Sequence, residues 1–240
     1  MKAFFSGVLA LLLISSFSVS AQNVVYDANA EVRTVPSFNK VKISGALAVY
    51  ISQGKEQAVA ISSEDGKYNS KIKTEVSNGT LKIYVDGGSW NNWNWGNKDI
   101  KAYITVTELT GLDIGGASAV KLTDPIKTDN ISLDISGASS LHGEINASSI
   151  SFDLSGASVA EVSGSTSSLY VESSGASGFR GYELTCDKCK AHASGASGIA
   201  VYVDKELDAE ATGASTIGYK GNAVITSLSV SGGSSVKKKG

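Results

Sequence analysis

The tetrapeptide Ser-Gly-Ala-Ser, or a close variant, returns through the second half of the chain. Its glycines are Gly116, Gly137, Gly156, Gly175, Gly195, Gly213 and Gly232, at spacings of 21, 19, 19, 20, 18 and 19 residues. A weaker copy, Ser44-Gly45-Ala46-Leu47, stands near the start. A fixed period of this size means that each unit stacks on a similar neighbour, which is a solenoid. Between the glycines, apolar residues alternate with polar ones, as in Ile131, Leu133 and Ile135, or Ile150, Phe152 and Leu154. That is the period of a strand, and no helical period of useful length is present. The Leu/Asn signature of leucine-rich repeats is missing too. A rung of ~19 residues at ~3.3 Å each has a perimeter of ~63 Å, which suits a parallel β-helix with rungs ~4.8 Å apart.

The motif has a structural task in such a fold. Glycine adopts positive φ or allows close approach at a corner, alanine fits where a larger side chain collides, and stacked serine hydroxyls find backbone partners. The rival is a serine nucleophile. A nucleophile elbow needs Gly-x-Ser-x-Gly, and Gly175-Ala176-Ser177-Gly178-Phe179 breaks it at the last position. Seven near-identical serines also cannot each be one activated nucleophile.

The preceding part is strand-rich without the strong motif. Ile72, Thr74 and Val76 lead into Asn78-Gly79, a strong hairpin signal, and Leu81, Ile83 and Val85 return. Ile100 to Val106 reads as another strand. These segments are antiparallel sheets or early irregular rungs, and either would close the N-terminal end of the solenoid. The expected architecture is therefore all-β. A parallel β-helix (β-solenoid) of about seven ~19-residue rungs over 111–240 stands behind an N-terminal strand-rich part at 22–110, with 22–240 as one continuous domain.

Residues 1–21 read as a signal peptide, with Lys2 ahead of an apolar core from Gly7 to Ile14 and small residues up to Ala21. The apolar run is too short to span a membrane as a helix. The chain is expected to be exported, to the periplasm, the outer cell surface or the medium. Formal net charge is −2, which argues against nucleic acid held through phosphates. Two Cys and two His are too few for a large metal cluster or a haem, and no cofactor is expected.

Three stretches carry a resemblance to a known family. They are Val35-Pro36-Ser37-Phe38-Asn39-Lys40-Val41-Lys42-Ile43-Ser44-Gly45, Val76-Ser77-Asn78-Gly79-Thr80-Leu81-Lys82-Ile83, and Ile104 to Leu109 leading into Leu112-Asp113-Ile114-Gly115-Gly116-Ala117-Ser118. Together they resemble the bacterial "putative auto-transporter adhesin, head GIN domain" family, over roughly residues 33–235. The resemblance implies a secreted or cell-envelope β-helical protein, and it carries no catalytic motif with it.

Four groups of residues are candidates for chemistry. Trp90, Trp93 and Trp95, the three tryptophans of the chain, share a short Asn- and Gly-rich segment. Such a loop suits a sugar or a protein surface, because indole offers an apolar face beside amide hydrogen bonds; the alternative is a loop folded back over the end of the β-helix. A largely acidic column lies three residues before each motif glycine: Asp113, Asp134, Asp153 and Glu172, then His192, Glu210 and Ser229. Alternation turns it outward, as a solvated face or as a calcium ladder. Cys186 and Cys189 have redox or zinc spacing without a second ligand pair. By repeat alignment they fall on the positions of Ala147/Thr166 and Ile150/Leu169, to pack or to form a local disulfide. Lys237 to Lys239 make a short basic end that discourages edge-to-edge association. The reading that follows is a binding or structural envelope protein, not an enzyme, whose partner is a glycan or a surface protein. The rivals are a polysaccharide-active β-helix enzyme, which needs one singular carboxylate constellation, and a purely structural module.

Overall fold

The computed structural model describes residues 27–86 and 99–240. The expected signal peptide and the Trp90–Trp95 segment lie outside them. Among the described residues, seventeen strands form one continuous sheet. In chain order they are β1 (Glu31–Val32), β2 (Lys40–Gly45), β3 (Ala48–Gln53), β4 (Ala58–Ser62), β5 (Ile72–Ser77), β6 (Thr80–Val85), β7 (Lys101–Val106), β8 (Gly111–Gly116), β9 (Ala119–Leu122), β10 (Ile126–Ile135), β11 (Ser140–Leu154), β12 (Val159–Ser173), β13 (Gly178–Ala193), β14 (Gly198–Ala211), β15 (Thr216–Lys220), β16 (Val224–Val230) and β17 (Ser235–Lys238). The sheet coils into a β-solenoid of about 7 turns.

From β8 onward every pairing is parallel, and the strands follow the register of the repeat except at irregularities between Glu161 and Ser163, Gly181 and Thr185, Cys186 and Lys188, and Leu207 and Asp208. Ile131 lies on Ile150, Ile150 on Leu169, and Leu169 on Cys189. Side chains of one column all face inward and form an apolar ladder. Volume along a column is not constant. Phe152 is followed by Val171, Ala191 and Ala209, whereas Ala160 is followed by Phe179. The rings of Phe152 and Phe179 meet at 4.8 Å between centroids with a 57° tilt. Large residues of one rung thus fill the space left by small residues of the next, the condition for dense packing.

The first half combines both expected arrangements. β2 lies parallel between β6 and β8, and β3 lies parallel between β7 and β9. The ladder therefore runs without interruption past residue 110. Antiparallel strands then close the end: β5 pairs with β6 through a turn whose Asn78 and Gly79 both have positive φ, β4 pairs with β7, and β1 with β4.

The motif forms the corner between successive strands. Its seven glycines have φ between +70° and +82°. A Cβ on any of them would come within 2.2–2.8 Å of the carbonyl oxygen of the corner glycine one turn earlier. That same oxygen accepts a bond from the next backbone amide; Ala157 N–H donates to Gly137 O at 2.8 Å. In six of the seven copies the last serine of the motif donates to the final carbonyl of an earlier strand, as Ser158 Oγ does to Ile135 O at 3.0 Å and Ser215 Oγ to Ala193 O at 3.0 Å. Both serines are fully buried. Gly45 belongs to the same row, since Ala117 N–H donates to its carbonyl at 2.7 Å.

Candidate functional site

The acidic column is a continuous in-register row. Asp113 pairs with Asp134, Asp134 with Asp153, Asp153 with Glu172, Glu172 with His192, and His192 with Glu210. Towards the N-terminal end the row changes sign, with Lys42 on Asp113 and Lys82 on Lys42. Lys42 Nζ forms an ion pair with Asp113. Tyr170 Oη donates to Glu172 at 2.8 Å, and His192 Nε2 lies 4.0 Å from Glu210. Burial together with the flanking Asp134 and Glu172 carboxylates raises the Asp153 carboxyl above its ordinary value. Among the described residues, no group of three or more His, Cys, Asp or Glu is placed to hold a metal ion. The column is a row of single carboxylates rather than a cage.

Cys186 and Cys189 are both buried and both free thiols. They occupy the columns of Thr166 and Leu169. Cys186 Sγ donates to Tyr202 O at 3.2 Å, and a hydrogen bond with Cys186 plus burial push the Cys189 thiol well up. A thiol of this kind is a packing group, not a nucleophile.

The structure assembles a cleft that periodicity alone did not single out. Tyr50 on β3 and Tyr103 on β7 are register partners. Each is flanked by buried residues, Val49 and Ile51 or Ala102 and Ile104, so alternation turns both rings to the outer face. They stack with centroids 5.4 Å apart and planes 15° from parallel. Beside them the chain entering at Asp27 and the end of β4 close a cavity of about 600 Å³, lined also by Asn29, Ser62, Glu64, Asp99 and Lys101.

The cleft is held by polar contacts. Tyr103 Oη donates to Asp27 Oδ2 at 2.8 Å, and the Asn29 amide donates to Asp27 Oδ1 at 3.0 Å. Burial alone would raise the Asp27 carboxyl, but hydrogen bonds from Tyr103, Asn29 and Ser62, with Lys101 nearby, hold it below its ordinary value. Asp27 is therefore an ionised acceptor at neutral pH. Burial and the Asp27 bond push the Tyr103 phenol strongly up, so it stays a donor. Lys101 Nζ donates to Asp99 at 2.6 Å. Ser63 Oγ donates to the buried Asn69 at 2.7 Å, and Asn69 Nδ2 to Asn29 O at 3.2 Å, which pins the entering segment. The outward tyrosines flanked by alternating apolar residues were legible signals; their meeting with Asp27 depends on β3 and β7 being register partners 53 residues apart.

Two further hollows lack this combination. One, of about 480 Å³, runs along Lys40, Lys42 and Lys82, and the other, of about 500 Å³, is lined by Ser and Thr around Thr166. Neither presents an aromatic face.

The family model described as "Putative auto-transporter adhesin, head GIN domain" matches residues 37–223. No curated protein matches the sequence. Among solved structures, a "putative adhesin" from Bacteroides fragilis is 21% identical, with a TM-score of 0.80 over 88% of this chain and 96% of that one. A "putative lipid binding protein" from Parabacteroides distasonis is 23% identical, with a TM-score of 0.64 over 89% and 98%. A "putative adhesin" from the same species is 16% identical, with a TM-score of 0.66 over 88% and 96%. At these identities the likeness is one of fold.

Proposed function

Because the chain belongs to the "putative auto-transporter adhesin, head GIN domain" family, we propose that it is an exported binding protein of the cell envelope whose N-terminal end holds a saccharide in the Tyr50/Tyr103 cleft. One observation carries this reading: a cavity of about 600 Å³ joins two stacked tyrosine rings to ionised and amide acceptors. Sugar rings present C–H faces to aromatic rings and hydroxyls to carboxylates and amides, and cavities of ~300–1,000 Å³ suit such ligands. Three carboxylates, Asp27, Glu64 and Asp99, face one ammonium, Lys101. That balance repels uronic acids, sialic acids and sulfated sugars, so the saccharide is uncharged.

The role is binding rather than hydrolysis. A glycosidase acid needs a raised carboxyl beside the scissile bond; Asp27 is held in the opposite direction and engaged by Tyr103 and Asn29, so it does not serve as that acid. Export is supported by the sequence of residues 1–21 and by the family. Among the described residues no helix is long and apolar enough to cross a membrane. Trp90, Trp93 and Trp95 enter the proposal through the chain alone, since Asp99 of the cleft follows Trp95 by four residues.

The test is a glycan array probed with the wild-type chain, Tyr50→Ala and Tyr103→Phe. Neutral glycans are expected to bind and anionic ones not. Tyr50→Ala should lose at least about tenfold in affinity through the missing ring face. Tyr103→Phe should lose less, because the ring remains. Retention only of anionic glycans, or equal binding by wild type and Tyr50→Ala, would overturn the proposal.

A further inference from the structure

We infer that the hollow across β6, β2 and β8 is a seat for a phosphate group, set around the Gly45 corner from the tyrosine cleft. Its volume is about 480 Å³. Two outward columns line it. One runs through Thr80, Lys40, Gly111 and Ser132, and the other through Lys82, Lys42, Asp113 and Asp134. Val41, Ile43, Leu81 and Ile83 are buried, so alternation turns the three lysines outward.

Gly111 makes the hollow. In its column the following rungs carry Ser132, Ser151, Tyr170 and Lys190, and β8 alone of these strands has no side chain there. A Cβ at Gly111 would lie 3.1 Å from Lys40 Cγ and 3.4 Å from Lys40 Cδ. The stem of Lys40 therefore lies down across the glycine instead of standing out into water. Charge is left over at the same place. Lys42 is paired with Asp113, but among the described residues Lys40 and Lys82 have no carboxylate at ion-pair distance. Elsewhere on the surface Lys101, Lys188, Lys190 and Lys205 each have one. The nearby carboxylates do not fill the role. Glu75, opposite Lys82 on β5, accepts from Tyr84 Oη at 2.9 Å. Asp134 stands two rungs beyond Lys42, ~10 Å along the axis, and three beyond Lys82.

The donors select the ligand. Two unpaired ammonium groups call for a doubly charged anion, and the hydroxyls of Ser77, Thr80 and Ser132 call for several acceptor oxygens. A phosphate monoester supplies both, with a charge of about −1.5 to −2 at pH 7 and three strong acceptor oxygens. Lysine binds phosphate as a point charge and needs no planar fork. A carboxylate or a sulfate ester brings a single charge, so acidic and sulfated sugars are poor ligands here as well as in the tyrosine cleft. The phosphate belongs to a small soluble ester or to a lipid headgroup, which share this chemistry.

Titration calorimetry of the purified protein in low-salt buffer should show glycerol phosphate binding with a Kd of roughly 1 mM or below. Methyl sulfate and acetate should bind at least about fivefold more weakly. Lys40→Ala and Lys82→Ala should each lose about fivefold or more through the missing charge-assisted bond. Gly111→Ser keeps every charge and restores the residue of the next two rungs. It should lose binding to a similar extent, with an unchanged circular dichroism spectrum. Affinity should fall as pH is taken below about 6, where the ester gains its second proton, and as salt is added. Phosphatidylcholine vesicles with and without phosphatidate identify the source. Cosedimentation that needs phosphatidate and is lost in Lys82→Ala assigns a lipid headgroup, and its absence beside glycerol phosphate binding assigns a soluble ester. A wild type that does not bind glycerol phosphate overturns the inference. So does equal affinity for methyl sulfate, or a Gly111→Ser variant that binds as wild type does, since diffuse positive charge would then account for the binding. None of these readings involves the saccharide.

Discussion

Gly156 shows how much of the fold rests on single atoms. Its φ is +71°, and a Cβ would sit 2.6 Å from Gly137 O. Gly156→Ala therefore meets two penalties, the left-handed backbone and a collision with a carbonyl fixed by its own hydrogen bond. A loss of about 2–4 kcal/mol in urea unfolding is expected. Ser158→Ala is milder. It removes the bond to Ile135 O, but Ser155 N–H also donates to that oxygen at 2.9 Å, so no buried group is left without a partner and about 1 kcal/mol should be lost. If the alanine at 158 proved as costly as the alanine at 156, the corner would depend on the hydroxyl rather than on the glycine. The same serines explain why a nucleophile reading fails in physical terms: the hydroxyls of Ser118, Ser158, Ser177, Ser197, Ser215 and Ser234 each donate to a backbone carbonyl, and the Ser139 hydroxyl accepts from the Ser118 amide.

Among the elements, the outer acidic row has the clearest pH signature. The Asp153 carboxyl is raised above its ordinary 3.8 by burial and by Asp134 and Glu172. The folded protein then holds the proton more tightly than the unfolded chain, so ionised Asp153 opposes folding at neutral pH, and that opposition fades as pH falls through the raised value. Asp153→Asn is expected to melt higher than wild type at pH 7. The difference should shrink as the buffer is taken down towards pH 3.8, and added salt should reduce it as well. A melting temperature unchanged at pH 7, or a gain that grows on acidification, would contradict this account. The row was legible from the sequence because alternation and the repeat place its members three residues before each glycine. Its sign reversal at Lys42 and Lys82 was not, since those residues reach the row through β2 and β6, inserted under β8 by non-sequential pairing.

At the scale of the whole molecule, position along the solenoid axis decides what a side chain contributes. Leu133 and Leu228 stand in one inward column, joined through Phe152, Val171, Ala191 and Ala209. Leu133 is 1% exposed and Leu228 is 55% exposed. Leu133→Ala should cost about 2–5 kcal/mol and Leu228→Ala under about 1 kcal/mol in dilute solution, read from urea midpoints. Equal losses would mean that the end of the solenoid is covered. The repeat, the inward and outward sets and the corner residues are readable from the chain order alone, because they follow from a period of two within a period of ~19, and both are local. The fate of residues 33–110 was a different matter. Whether they would stack as rungs or pair antiparallel depended on which edges were free, and the tertiary structure uses both. The cleft was decided there too. Asp27, Tyr50 and Tyr103 are distant in sequence and outside the repeat, and only the parallel seating of β3 on β7, with the entering chain folded across them, brings a carboxylate to the phenol.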